Sequence, residues 1–187
     1  MQEPDRLPLP SILDDRQQAA VAAISAGPRG GLFGPFVPLL RSPELMTRLQ
    51  RVGEFLRFES DLAAHLRELA ILLVARWWDQ DFEWGHHAPL ARSAGLPESV
   101  IEAVANAGDP VGSADVQAIW RLVAELLQTR RVTDDTYDAA RELLGEGGVV
   151  ELVALTGYYS TLAMTMVTAR TPVPADYERL PEPRRPR

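Results

Sequence analysis

The chain has no cysteine among its 187 residues. Disulfides, thiolate nucleophiles and thiol redox cycles are therefore excluded together, and the redox compartment is left unspecified. Lysine is also missing, because all 19 basic residues are arginine. No Schiff base to a carbonyl substrate or to pyridoxal phosphate can form on such a chain. Positive charge is short as well: the net charge is −7, so no basic field draws a phosphate backbone. Nucleic acid is not an expected partner, and Arg184, Arg185 and Arg187 read as a solvated end. The longest apolar block, Leu69 to Ala75, is too short to span a bilayer. MQEPDRLPLP lacks the apolar run of a signal peptide, so the expectation is a cytoplasmic protein with no membrane partner.

What is present reads as helix. At 46% hydrophobic and 24% charged, the chain can bury one substantial core, and no segment alternates apolar and polar residues as a half-buried strand does. The expected class is all-α. A first helix is expected over 13–25, ending at Gly27-Pro28. GGLFGPFVPLLRSPE follows as a loop that buries Phe33 and Phe36. Ser42-Pro43-Glu44 opens a helix to about Arg57, and another should run from about Asp61 to Trp78. Asp79 or Asp81 is the expected cap of the next, which Pro89 should kink or restart and Gly95 should end. Further helices are expected over 97–106, 113–128, 133–144 and 149–170. The organisation is thus an extended segment 1–12, a helical domain 13–170 and a proline- and arginine-rich tail 171–187, laid on the surface or on a neighbouring subunit. ELAILLVARWW from Glu68 is echoed by ELVALTGYYST from Glu151, which suggests two related helical halves.

The chemistry gathers in DQDFEWGHH, residues 79 to 87, which holds two of the three histidines. On a helix Gln80, Glu83 and His87 share one face, so Glu83 and His87 can touch. A carboxylate beside an imidazole raises its pKa and orients its ring, as a general acid or base requires. A turn near Asp79 would let Glu68 join them. The plainer reading is a solvated surface pair. Trp84 is either core or a platform for substrate, His86 points about 100° away from His87, and His65 reads as a surface or interface residue. Glu68, Glu83 and His87 could instead hold a single metal, whereas a di-iron centre would need a second Glu-x-x-His, which the sequence lacks.

At these residues the chain resembles the carboxymuconolactone decarboxylase and AhpD-like superfamily. Its peroxidase members carry a glutamate, then Cys-x-x-Cys, then a histidine four residues on. Glu68 matches the glutamate, Gln80 and Glu83 occupy the cysteine positions, and His87 matches the histidine. GLFGPF, SPELMTRL, ARSAGLP and VVELVALTGYY extend the likeness over most of 30–170. The resemblance implies an AhpD-like helical bundle that forms homo-oligomers, trimers or hexamers. Without cysteine it implies no thiol peroxidase but a proton-transfer set. Decarboxylases of the family use no cofactor and no metal: a lactone acid loses its carboxylate into a conjugated carbonyl, and the dienolate carbon is protonated. The implied catalytic residues are Glu68, Glu83 and His87. Gln80, Trp84, His86 and Arg76, or Arg57 in its place, are the candidates for binding a small carboxylate or lactone. An isomerase, a hydratase, a lactone hydrolase or a non-catalytic binding or scaffold protein of the same fold are the alternatives.

Overall fold

The computed structural model describes residues 4–182; Arg184, Arg185 and Arg187 lie outside the described residues. Eight α-helices follow in order: α1 Asp15–Ala26, α2 Phe36–Leu39, α3 Pro43–Glu54, α4 Ala64–Trp77, α5 Asp81–Ser93, α6 Glu98–Ala105, α7 Ala114–Thr129 and α8 Asp134–Ala169. Among the described residues there is no strand. The expected all-α class is what the chain adopts.

Helix α4 is the hub, packed against α5, α6, α7 and α8. Its sequence requires this. Leu66, Leu69, Ala70, Ile71, Leu72, Val74 and Ala75 point all round the helix, and every one is buried. A helix apolar on every side has to be enclosed by others. Truncating a fully buried member such as Leu69 to alanine would cost about 2–5 kcal/mol. Glu68 and Arg76 are enclosed with them, which is unusual for charged side chains.

The link between α4 and α5 corrects one sequence expectation. Asp79 is not a cap: it has φ 47° and sits in the left-handed region just beyond the end of α4. Its N–H donates to the Arg76 carbonyl and that of Gln80 to the Ala75 carbonyl, the paired bonds that close a helix C-terminus. The cap of α5 is Gln80, whose side-chain oxygen accepts from the Phe82 N–H at 3.0 Å. Asp81 instead serves the tail, accepting from the Leu180 N–H at 2.9 Å and pairing with Arg179 at 3.1 Å. The result is a tight antiparallel hairpin that lays α5 along α4. Helix α5 runs on through Pro89 without the restart expected there.

The remaining boundaries shift by a few residues. The helix expected to reach Arg57 turns π-helical over Phe55–Glu59. The two helices expected over 133–144 and 149–170 meet at Gly145 alone, whose φ of 69° breaks α8 in place of a loop. By length and mean hydropathy α8 could cross a bilayer, a possibility that its short uninterrupted apolar runs do not reveal; half of its apolar window is buried in this fold, against α4 and α7 among others. The echoing stretches lie in α4 and α8, which pack together, but Glu151 accepts from the Ser60 hydroxyl and faces no histidine.

The described part of the tail is laid on its own chain. Residues 171–182 run over α5 and the α4–α5 turn, where Tyr177 lies against Gly85 and the Pro181 carbonyl accepts from Arg76 at 2.9 Å. At the other end the Arg6 N–H donates to the Ala169 carbonyl, which ties the N-terminal segment to the end of α8.

Candidate active site

The α4–α5 hairpin brings Glu68 and His87 together. Oε2 of Glu68 lies 2.6 Å from Nδ1 of His87, and Oε2 of Glu83, one turn earlier on α5, lies 3.4 Å from Nε2. All three residues are at most 4% exposed. An imidazole whose two nitrogens both face carboxylates is set up to carry two protons. Burial opposes the charged ring, but the hydrogen bonds to Glu68 and Glu83 outweigh it and hold the His87 pKa above the ordinary histidine value. Burial likewise opposes the Glu68 carboxylate, yet the contact with His87 wins and lowers its pKa. These opposite shifts favour the glutamate–imidazolium form of the pair, and Tyr159 is set edge-on to the ring at 5.2 Å.

His86 differs from its neighbour. Burial first, and then the charge of His87, push its pKa down to about 4, so it is neutral where His87 is charged. Its Nδ1 lies 3.3 Å from the Tyr177 hydroxyl, and its ring packs against Phe33 at 5.5 Å.

Glu83, His86 and His87 line a small chamber together with Phe33, Phe36, Phe82, Tyr159, Arg29 and Arg57, while Glu68 reaches it only through the His87 ring. The chamber's volume is about 10 Å³, room for one water. Polar atoms are left without partners here: Oε1 of Glu83 and both Nε and Nη2 of Arg29 are shielded from solvent and make no hydrogen bond. Buried polar atoms are usually paired, so a cluster of exceptions at one chamber marks a place for a ligand or water.

The residues singled out in the sequence divide into two groups. Glu68, Glu83 and His87 converge, and Glu83, His86, His87 and Arg57 line the chamber. Gln80 caps α5. Trp84 is fully buried in the core, with Nε1 donating to Glu178 at 3.4 Å, so it offers no platform. Arg76 faces away, held by Asp79 at 3.0 Å and by the Pro181 carbonyl. The placement of these three gives no support for a role in substrate binding, because their polar atoms are engaged by the turn and the tail. His65 bridges α4 to α7 through Asp115 at 3.2 Å. Among the described residues no group of three ligating side chains is arranged to hold a metal ion.

Arg29 and Tyr159 were missed. The signal for Arg29 was its place in GPRGG, an arginine in a turn leading into a loop of buried aromatics. For Tyr159 it was the aromatic pair of the echo, which stands two positions earlier than Trp77-Trp78 does in ELAILLVARWW.

Residues 43–125 match the family model described as the carboxymuconolactone decarboxylase family. The matched segment holds Glu68, Glu83 and His87, while Arg29, Tyr159 and the tail lie outside it. A search of curated proteins found no match.

Proposed function

We propose, for a chain whose residues 43–125 are a cysteine-free carboxymuconolactone decarboxylase family segment, a cofactor-independent proton-transfer enzyme that decarboxylates a small lactone-type acid. The observation that carries this reading is the His87 ring, clamped between Glu68 and Glu83 beside a shielded chamber. In the reaction, the bond between the carboxylate carbon and the ring breaks and its electron pair enters the conjugated carbonyl. Carbon dioxide leaves. The dienolate carbon then takes a proton from Nε2 of His87, and solvent returns that proton to the ring. Glu68 holds the imidazolium at Nδ1, so that Nε2 keeps one orientation.

A second reading concerns the last proton carrier. Oε1 of Glu83 is unpartnered and lines the chamber, so Glu83 could hand over the proton with His87 as its supply. Solvent isotope effects on His87→Gln and Glu83→Gln distinguish the two, because only the terminal donor sets the isotope effect of carbon protonation.

A chamber of about 10 Å³ has to open before it takes a lactone. Gly30 and Gly34, with φ of 76° and 54°, flank Phe33, and this segment is the part proposed to swing away. Carbon dioxide release from a panel of carboxylated lactones tests the function. Release by the native chain and not by His87→Gln is expected. Saturable binding of the same acids without release would favour the binding-protein alternative.

Self-association belongs to the same proposal. Val150, Val153, Met164 and Val167 stay exposed on α8, and Phe55 and Phe58 are exposed on the π-helical turn. Apolar side chains grouped in this way commonly mark an interface.

A further inference from the structure

Arg29 stands in the turn after α1, outside the family segment. Its Nε and Nη2 are both shielded from solvent and without hydrogen bonds. Those two nitrogens form the side-on edge of the guanidinium, the fork that receives both oxygens of one carboxylate. The guanidinium carbon lies 4.5 Å from the ring centroid of Phe36, a residue only 1% exposed. A cation resting on an immobile ring is fixed in position before any ligand arrives, while its edge stays free. Arg57, from the π-helical turn, lines the same chamber and adds a second positive charge.

No ion pair joins Arg29 to a carboxylate among the described residues. Glu83, on the same chamber, is engaged with His87 instead. Donors of a charged group left unpaired and out of water are costly, so the fold holds this edge ready at the expense of its own stability.

We propose that Arg29 and Arg57 build an anion subsite in the chamber, in which the Nε–Nη2 edge of Arg29 takes a carboxylate of the substrate side-on, within reach of His87. The proposal rests on the chamber being the binding site for a small acid. It replaces Arg76, the arginine that the sequence first suggested, with one that the topology brings to the site.

The probe is 5-oxotetrahydrofuran-2-carboxylate, a saturated lactone acid that cannot lose carbon dioxide into a conjugated carbonyl, compared with its neutral methyl ester. Binding to the full chain is measured by titration calorimetry. The acid should bind at least about tenfold more tightly than the ester, and Arg29→Gln should remove that advantage while leaving ester binding unchanged. Arg29→Lys should restore only part of it, since an ammonium cannot reproduce the fork. In the native chain the Arg29 Nε–H resonance should move on adding acid and not on adding ester, a readout that needs no variant to fold. Equal affinity for acid and ester, or native acid affinity in Arg29→Gln, overturns the subsite. His87→Gln should keep acid binding; if it does while the native chain releases no carbon dioxide from any lactone acid, the decarboxylase reading falls and the subsite stands.

Discussion

Tyr177 and Gly85 occupy one space: a Cβ on Gly85 would lie 2.5 Å from the Cβ of Tyr177. The glycine in the middle of α5 is there because the tail crosses the helix at that point. From this contact Tyr177 reaches the His86 ring and packs on Phe82, both of which line the chamber. Gly85→Ala should therefore displace the tail while raising helix propensity by about 0.5–1 kcal/mol. Hydrogen exchange should show residues 171–182 losing protection while α5 keeps its own. Unchanged protection of the tail would mean that it accommodates the methyl group.

Removal of the proton machinery should be read in conservative variants, because His87→Ala would strand two buried carboxylates. That loss costs about 3–5 kcal/mol and confuses folding with catalysis. His87→Gln and Glu83→Gln should each lower turnover of a lactone acid by about 10² to 10⁴. Their combination should cost much less than the product of the two, since an orienting carboxylate has nothing to orient once the ring is gone. Losses that multiply would show that the two residues act independently.

The clamp also sets a pH signature on stability. The raised His87 stabilises the fold fully below its unfolded value near 6.5, and this contribution is lost as pH rises through its folded pKa. The lowered Glu68 contributes fully above 4.5 and loses its share as pH falls through its folded pKa. Urea unfolding should thus show the native chain's advantage over His87→Gln to be largest between 4.5 and 6.5 and to shrink on both sides. A difference independent of pH would mean that the buried pair does not titrate as an ion pair.

Light scattering should give a mass well above that of the 20.6 kDa chain, because the exposed valines of α8 and Phe55 have no cover within one copy. Val153→Glu should shift the population towards monomer without lowering helicity. A native chain that is monomeric at micromolar concentration would remove the assembly proposal.

Alkyl hydroperoxide with a dithiol donor should not be reduced above a heat-denatured control. The positions matched to the family's thiols hold Gln80 and Glu83, one tied to a helix cap and the other to His87. Turnover above that control would require a chemistry that this side-chain set does not contain.

Local pattern made the helices and the Glu83–His87 contact legible, because both depend on residues three or four apart, and helical geometry fixes where such residues point. Composition did the same for the missing thiol and amine chemistry. The C-terminal turn at Asp79 was legible in principle and was mistaken for a cap, since aspartate suits both a cap and a left-handed residue and only the paired backbone bonds tell them apart. The course of the tail over α5, the exclusion of Arg76 and Trp84 from the chamber, and the arrival of Arg29 were not legible. Each depends on contacts between segments far apart in the chain, and their identities do not specify those contacts locally. The sequence by itself determined which chemistry this protein could have: helices, carboxylates, imidazole and guanidinium, with no thiol and no lysine amine. Only the tertiary structure decided which of those groups meet, because antiparallel packing of α5 on α4 seals His87 between two carboxylates out of water, where burial and charge shift its proton affinity in a way that no spacing along the chain can express.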